Sequence, residues 1–417
     1  GLGVASVGLR TLGWGLLLWA CEPWVGGCGY PRAMKVARRA EIAPFYVMEV
    51  MKAAAQRERT VGDVLHLEVG QPSTPAPDSV LLAAKSALDS DRLGYTDATG
   101  VPELRDRIAL HYAERYGLDV DPSRVVVTMG ASGGFVLAFL AAFDAGDRVA
   151  VTRPGYPCYR NTLEAFGVEA VSIAVGPDTR FVPTGRLLAA AGRLDGLILA
   201  SPANPTGTAL TSDELADIAT YCRSNGIRLV SDEIYHGIEY GGQVPSALSV
   251  EPDAVVLQSF SKYFSMTGWR LGWMIVPDEL VRPIERIAQN LFISPPTLSQ
   301  LAAVAAFDAV DELDANVNRY AENRRILIDG LGSVGLVHFA SPDGAFYFYI
   351  DVSHLTEDSQ ELCRVWLDQL GVACTPGIDF DPVLGHRYVR LSYSESTADI
   401  SEATERLVDW IRSEQPT

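Results

Sequence analysis

Cysteine is scarce in this sequence, with six residues among 417. None of them belongs to a Cys-x-x-Cys pair or has the spacing of a metal site: Cys21, Cys28, Cys158, Cys222, Cys363 and Cys374. Regularly spaced cysteines would indicate a disulfide framework or a zinc site, so their absence argues against both. We therefore expect reduced thiols, no bound metal and a cytoplasmic location.

Positive charge is also in short supply. Lys and Arg number 34 against 52 Asp and Glu, which gives a formal net charge of −18 and a pI near 4.8. Binding to the phosphates of nucleic acids needs clustered Lys and Arg. A nucleic-acid partner is therefore not expected, and the acidity favours solubility.

Long apolar runs are missing near the start of the chain. Leu12–Ala20 is too short to span a bilayer as a helix, so no membrane partner is expected. The run could be the hydrophobic core of a signal peptide, and Leu18–Cys21 is faintly similar to a lipoprotein cleavage site. We favour the alternative that the protein starts at Met34 and that residues 1–33 are an extension outside the fold.

The chain is long and apolar enough, with 48% hydrophobic residues, to form a large core and a second smaller one. Strands alternate with helices between about residues 95 and 275, which predicts βαβ units. We predict an α/β fold whose large domain, residues 76–297, has a mostly parallel sheet flanked by helices. Residues 298–417 form a smaller α+β domain, which the N-terminal segment 34–75 joins.

One lysine stands in an unusual setting. Lys262 follows the apolar run Ala254–Leu257 and lies among aromatic and hydroxyl residues, with Arg270 eight positions later. A buried ammonium is costly, so such a lysine tends to lose its proton, and a neutral amine forms Schiff bases with aldehydes. Ser259, Ser261 and Arg270 supply donors for an aldehyde cofactor that carries a phosphate. A lysine in a polar turn followed by a structural arginine is the alternative.

A glycine-rich turn provides a second candidate site. The strand Arg124–Thr128 runs into Met129–Gly134, and an apolar helix is predicted over Phe135–Phe143. A helix N-terminus after such a turn presents free N–H groups to an anion, which makes a phosphate cradle. A purely structural turn remains the alternative. Ligands lie at the carboxyl ends of parallel strands, where five candidates fall: Ser132, Tyr156, Asn204, Asp232 and Lys262.

Arg390 lies on a predicted strand, Tyr388–Tyr393, and alternates there with apolar neighbours. A lone arginine on a buried strand needs an anion. That anion is either a ligand or, alternatively, one of the many acidic residues of the chain.

From about Ala40 to the C-terminus the sequence resembles the fold type I pyridoxal-phosphate aminotransferases, within them the class I, aspartate-aminotransferase-like group. The motifs that carry the resemblance are Gln258–Trp273, Met129–Gly134, Arg153–Tyr159, Ser201–Gly207 and Asp232–Tyr235. The resemblance implies the fold of these transferases, pyridoxal 5′-phosphate as the cofactor and a homodimer.

The resemblance also implies a role for each matching residue. Lys262 binds the cofactor and moves the proton at the substrate Cα, Asp232 pairs with the ring nitrogen, and Tyr235 bonds the 3-oxygen. A helix N-cap is the alternative role for Asp232. Further cofactor contacts implied are Gly130, Ala131, Ser132, Tyr156, Asn204, Ser259, Ser261, Arg270 and, from the neighbouring subunit, Tyr95. The implied substrate contacts are Gly70, Tyr156, Asn204 and Arg390, the last on the α-carboxylate.

The implied activity is transfer of an α-amino group from an L-amino acid to a 2-oxo acid by a ping-pong mechanism. Dicarboxylate-specific relatives provide a second cation for the side-chain carboxylate, in some cases a lysine at the position of Ser132, which this chain lacks. The segment Pro44–Met48 is apolar. We therefore expect neutral substrates such as alanine or valine, with pyruvate. The alternatives are an aspartate aminotransferase, a lyase on the same scaffold, or a cofactor-binding regulatory domain. The acidic charge and the lack of a basic helix-turn-helix segment in residues 1–40 argue against a regulatory domain.

Overall fold

A computed structural model gives the architecture of this chain and describes residues 34–414. Contacts divide the chain into residues 1–38 and residues 39–417, and every numbered helix and strand below lies in the second unit. The expectation for residues 1–33 falls outside the described residues. No helix between Met34 and Glu414 is long and apolar enough to cross a membrane.

The strands of the described region are short. In chain order they are β1 Leu65–His66, β2 Val125–Thr128, β3 Arg148–Arg153, β4 Glu169–Ala174, β5 Gly196–Ala200, β6 Arg228–Asp232, β7 Val255–Ser259, β8 Gly272–Ile275, β9 Tyr347–Asp351, β10 Val372–Ala373, β11 Thr375–Pro376 and β12 Tyr388–Ser392.

Helices separate most of these strands. In chain order they are α1 Tyr46–Thr60, α2 Asp78–Ser90, α3 Pro102–Tyr116, α4 Gly130–Ala142, α5 Pro157–Ala165, α6 Gly185–Ala190, α7 Ser212–Ser224, α8 Asp278–Leu291, α9 Thr297–Ala303, α10 Val310–Gly332, α11 Ser359–Val365 and α12 Thr397–Glu414.

The largest sheet has seven strands in the order β2-β8-β7-β6-β5-β3-β4. Strands β3 to β7 pair in parallel, whereas β8 runs antiparallel to both of its neighbours. Runs such as Val125–Thr128 and Val255–Ser259 are buried at every position, as expected for a parallel sheet with both faces covered by helices. The predicted α/β fold with a mostly parallel sheet is confirmed, with β8 as its antiparallel member.

Helix α4 begins at Gly130 and not at Phe135 as the sequence predicted. Glycine has a low helix propensity, so the glycine-rich stretch reads as a loop. Here the glycines serve packing, because a Cβ on Gly134 would approach Leu257 on β7 to 2.9 Å. Small residues therefore let the first turns of α4 lie directly on the sheet.

A second, antiparallel sheet has the order β11-β12-β9, and β1 pairs in parallel with β10. The pairing of Leu65 with Val372 ties the N-terminal segment to the C-terminal part of the chain. A separate group of buried side chains surrounds these strands, among them Tyr320, Phe346 and Trp366.

Candidate functional site

A cavity of about 240 Å³ opens at the carboxyl ends of β5, β6 and β7. Twelve of the predicted site residues line it: Gly70, Ala131, Ser132, Tyr156, Asn204, Asp232, Tyr235, Ser259, Ser261, Lys262, Arg270 and Arg390. Parallel strands end at one edge of their sheet, which is why residues so far apart in sequence meet there.

Lys262 lies just beyond the end of β7 and lines the cavity. Its Nζ donates to the backbone oxygen of Gly70 at 2.6 Å and lies 5.7 Å from the centre of the Tyr235 ring. Burial, followed by the positive charges of Arg390 and Arg270, lowers the pKa of Lys262 to about 8. A considerable fraction of neutral amine is therefore present at physiological pH, as nucleophilic chemistry requires.

Asp232 is the last residue of β6 and is buried. One carboxylate oxygen accepts a short hydrogen bond from the Tyr159 hydroxyl, and the other accepts from the N–H of Ile234 at 3.1 Å. Burial raises the pKa of Asp232 to about 6, although both of these bonds and Lys262 oppose the rise. No α-helix follows before β7, so the helix N-cap alternative fails. A cation placed against this carboxylate would favour its charged form.

The anion corner is formed by the first turn of α4, the hydroxyls of Ser132, Ser259 and Ser261, and the Arg270 guanidinium. Gly130 does not line the cavity but makes the corner possible. Its φ is +70°, and a Cβ there would come within 2.6 Å of Arg270 Nη2. Within residues 34–414, the Arg270 guanidinium donates a hydrogen bond only to the Thr267 backbone oxygen, at 3.1 Å. Free N–H groups, hydroxyls and a guanidinium suit a phosphate.

Arg390 lies on β12 and is 4% exposed. Its Nη1 donates to Asn204 Oδ1 at 2.9 Å, and its Nη2 donates to the Glu68 backbone oxygen and to Thr375 Oγ1. All of these partners are neutral, and within residues 34–414 its Nε has no partner at all. Within residues 34–414 no carboxylate forms an ion pair with Arg390, although Asp379 lies close enough to interact with it electrostatically. The alternative of a structural ion pair therefore fails, and a buried cation with no anion in contact indicates an anionic ligand.

Gly70 and Tyr235 meet at Tyr347, a residue that sequence reasoning missed. The hydroxyls of Tyr235 and Tyr347 are 2.7 Å apart. A Cβ on Gly70 would lie 1.7 Å from the Tyr347 hydroxyl, so this position requires glycine. Tyr156 lies in the same wall and meets Phe45 edge to face, with ring centres 5.7 Å apart.

Sequence reasoning missed several further lining residues: Met51, Phe135, Tyr159, Ile234 and Tyr347. Aromatic and aliphatic side chains in apolar runs read as core residues. For Tyr159 alone a signal existed, since it closes the Arg153–Tyr159 motif three positions after Tyr156.

Tyr95 does not reach the cavity of its own chain. It is 84% exposed. Its implied contact with a neighbouring subunit stays a prediction.

The residues present fit pyridoxal 5′-phosphate. The lysine, the buried carboxylate and the anion corner lie around one cavity and match the aldehyde, the ring nitrogen and the phosphate in chemical character. The cavity also has an apolar wall, which α1 and the residue before it provide through Phe45, Val47, Met48 and Met51.

Comparison with known sequences gives a consistent result. The family described as aminotransferase class I and II matches residues 62–407. The valine–pyruvate aminotransferase of Mycobacterium tuberculosis is 52% identical over 385 residues, which cover 91% of this chain and 99% of that protein. The aspartate/prephenate aminotransferase of Thermus thermophilus is 32% identical, with 89% and 97% covered.

Solved structures agree in fold. A crystal structure of an aminotransferase from Mycobacterium tuberculosis has a TM-score of 0.90 at 52% identity, over 92% of this chain and 100% of that chain. The aspartate aminotransferase of Thermus thermophilus with maleate has a TM-score of 0.85 at 31% identity, over 90% and 100%.

Proposed function

Because this chain belongs to the class I and II aminotransferase family, we propose that it transfers the amino group of a neutral L-amino acid to pyruvate. The donor is valine or alanine, and the cofactor is pyridoxal 5′-phosphate bound to Lys262. A relative that is 52% identical is a valine–pyruvate aminotransferase, which supports this choice of substrates.

The observation that carries the substrate class is the distribution of charge around the cavity. Among the described lining residues the cations are Lys262, Arg270 and Arg390. Arg270 belongs to the anion corner and Arg390 to the α-carboxylate, so neither is free to bind a second carboxylate on the substrate. Because α1 faces the cavity with apolar side chains, a neutral side chain is favoured over that of aspartate.

Each polar residue then has a task in this proposal. The bound cofactor would supply an electron-withdrawing ring for the negative charge that develops at the donor Cα. Asp232 keeps a positive charge on the ring nitrogen, and Arg390 with Asn204 orients the donor by its α-carboxylate. Lys262 releases the Gly70 oxygen and moves the proton at Cα, for which a pKa of about 8 is well suited.

Parallel measurements with L-valine, L-alanine and L-aspartate test the proposal. Cofactor-saturated protein is mixed with each donor, and the loss of visible absorbance is followed in a single turnover. We expect valine or alanine to react with a kcat/KM roughly tenfold or more above that of aspartate. Lys262→Ala is the control and should lose the visible band and the turnover together. A preference for aspartate would overturn the substrate class, and an active Lys262→Ala variant would overturn the site.

We also propose that the enzyme is a cytoplasmic homodimer in which Tyr95 contacts the phosphate of the neighbouring subunit. Exposed apolar side chains close to Tyr95 support this arrangement. The N–H of Thr96, the next residue, donates to Ser294 Oγ at 3.4 Å, and Leu291 and Ile293 near Ser294 are exposed. A single-subunit mass in light scattering would contradict the dimer, and recovery in a membrane or secreted fraction would contradict the location.

The domain division is likewise proposed, with a large domain over residues 76–297 and a small domain over residues 34–75 and 298–417. Pairing of β1 with β10 supports the assignment of the N-terminal segment. Limited proteolysis that cut first inside the seven-stranded sheet would contradict it.

A further inference from the structure

Helix α1 forms the apolar wall of the cavity, but no neighbouring side chain caps its first turn. The N–H of Met48 donates to the Phe45 backbone oxygen at 3.0 Å, which leaves the N–H groups of Tyr46 and Val47. Phe45, the residue before the helix, makes no side-chain hydrogen bond to it. The N–H groups of a first turn have no partners within the helix, so they need acceptors from elsewhere.

Asp379 supplies these acceptors from the far end of the sequence. Its Oδ1 accepts from the N–H of Tyr46 and its Oδ2 accepts from the N–H of Val47, both at 3.1 Å. The two positions are 333 and 332 residues away along the chain. Asp379 is 2% exposed, so water cannot easily replace the carboxylate as the acceptor.

The loop that carries Asp379 is also coupled to the carboxylate-binding arginine. Asp379 ends the 3₁₀ turn Gly377–Asp379, which directly follows β11. On β11, Thr375 pairs with Arg390 and accepts from its guanidinium at 3.2 Å. One short segment therefore contacts Arg390 at one end and the start of α1 at the other.

The opposite end of α1 is held independently. Arg57, near the C-terminus of the helix, donates to the backbone oxygens of Asp63 at 3.1 Å and Asp368 at 2.8 Å. Loss of the Asp379 contacts would therefore release only the first turn, which carries Val47 and Met48 and is preceded by Phe45.

We propose that Asp379 is a specificity-determining positioning residue: by capping α1 it fixes the apolar wall at a set distance from the arginine that holds the substrate carboxylate. A donor bound at Arg390 then meets a wall of defined depth, which selects the length of its side chain. This inference rests on the proposed function for the identity of the donors, but the role of Asp379 holds for any donor whose side chain meets α1.

Asp379→Ala and Asp379→Asn separate positioning from charge. Alanine removes both acceptors, whereas asparagine removes the negative charge near Arg390 and keeps one accepting oxygen. We expect Asp379→Ala to raise the KM for valine about tenfold, which is the effect expected when a helix loses its cap. The kcat should change by less than about twofold. Its preference for valine over alanine should fall, because the larger side chain depends more on the wall. Asp379→Asn should recover part of that preference.

The matched control is Asp358→Ala. Asp358 caps α11 by accepting from the N–H groups of Gln360 and Glu361, and it does not line the cavity. Asp358 is exposed, so water can partly replace its carboxylate. This variant should therefore lose thermal stability, although less than Asp379→Ala, and leave KM and donor preference unchanged. If Asp379→Ala also loses only stability, Asp379 is a structural cap and the inference is wrong. If the wild-type enzyme prefers aspartate, the proposed function fails, and the same KM comparison is made with aspartate, so the role of Asp379 is still decided.

Discussion

Asp232 depends on Tyr159, which closes the Arg153–Tyr159 motif but was not predicted as a site residue. The Tyr159 hydroxyl donates to it, and this bond opposes the rise in the pKa of Asp232 that burial causes. Because Asp232 would hold a cationic ring nitrogen, its charged form must be maintained at neutral pH. Tyr159 is therefore a positioning residue for Asp232.

Tyr159→Phe tests this dependence. Without the hydroxyl, the pKa of Asp232 should rise further above about 6. Loss of a hydrogen bond to a charged group corresponds to about 10- to 100-fold in an equilibrium constant. We expect the dissociation constant for pyridoxal 5′-phosphate to increase by at least roughly tenfold and its pH dependence to move to higher pH, as measured by absorbance titration.

Tyr349→Phe is the matched control for that variant. Tyr349 is equally buried, and its hydroxyl has no hydrogen-bond partner among residues 34–414. Its removal should leave cofactor affinity unchanged. Equal affinities in the two variants would refute the role given to Tyr159.

The residues of this site differ in how well the sequence predicts their role. Lys262 and Arg390 stand out because a permanent or costly charge within an apolar run needs an explanation. Tyr347 does not, since a tyrosine in such a run is usually a core residue. Tyr159 is marked only by its place at the end of the Arg153–Tyr159 motif. Only the fold brings their hydroxyls to Asp232 and Tyr235.

At the scale of elements, the junction of β2 and α4 combines an unusual backbone with a close contact. Gly130 has a φ of +70°, and its missing side chain leaves room for Arg270. The sequence predicted a phosphate cradle here but started the helix too late, because propensity could not anticipate how tightly α4 packs on β7.

Gly130→Ala should disturb both features. A left-handed backbone costs a non-glycine residue about 1 kcal/mol, and the new Cβ would also displace the Arg270 guanidinium. We expect a loss of about 1 kcal/mol or more in unfolding free energy, and cofactor binding weakened by roughly tenfold. Gly117→Ala isolates the backbone effect, because Gly117 has a φ of +66° with no atom within 4 Å of a Cβ. It should lose stability and keep its affinity, and weakened affinity in both variants would contradict this account.

At the scale of the whole molecule, acid stability is reduced by His111, whose protonation the folded state disfavours. His111 lies among aromatic rings, with the Phe307 ring centre at 5.1 Å and the Trp273 ring centre at 6.4 Å. Burial, together with Arg115 and Arg107, lowers the pKa of His111 from its ordinary value of 6.5 to about 3. Between these two pH values the unfolded chain binds a proton that the folded chain does not, so stability falls as pH falls.

His111→Phe should remove this penalty. Below pH 6.5 the wild-type protein loses up to about 1.4 kcal/mol per pH unit through this residue. The unfolding free energy of the variant, measured in urea between pH 4.5 and 6.5, should fall less steeply by about that amount. His354→Phe replaces an exposed histidine and should keep the wild-type slope. Parallel curves for His111→Phe and the wild type would exclude the effect.

The overall architecture followed from the regular alternation of strands and helices, which the covered parallel sheet requires. The position of β8 did not follow, since β8 lies between β2 and β7 through pairs such as Val125 with Ile275. Pairing over such a separation depends on which edge remains open in three dimensions, and local patterns carry no information about it.

The cap on α1 also affects how the enzyme folds while it is synthesised on the ribosome. The N–H groups of Tyr46 and Val47 find their acceptor more than 300 residues later, and Leu65 finds its strand partner only at Val372. During synthesis the first turn of this early helix therefore lacks its acceptors until nearly the whole polypeptide has emerged. An incomplete nascent chain therefore lacks one side of its substrate pocket and should be unable to discriminate among amino acids.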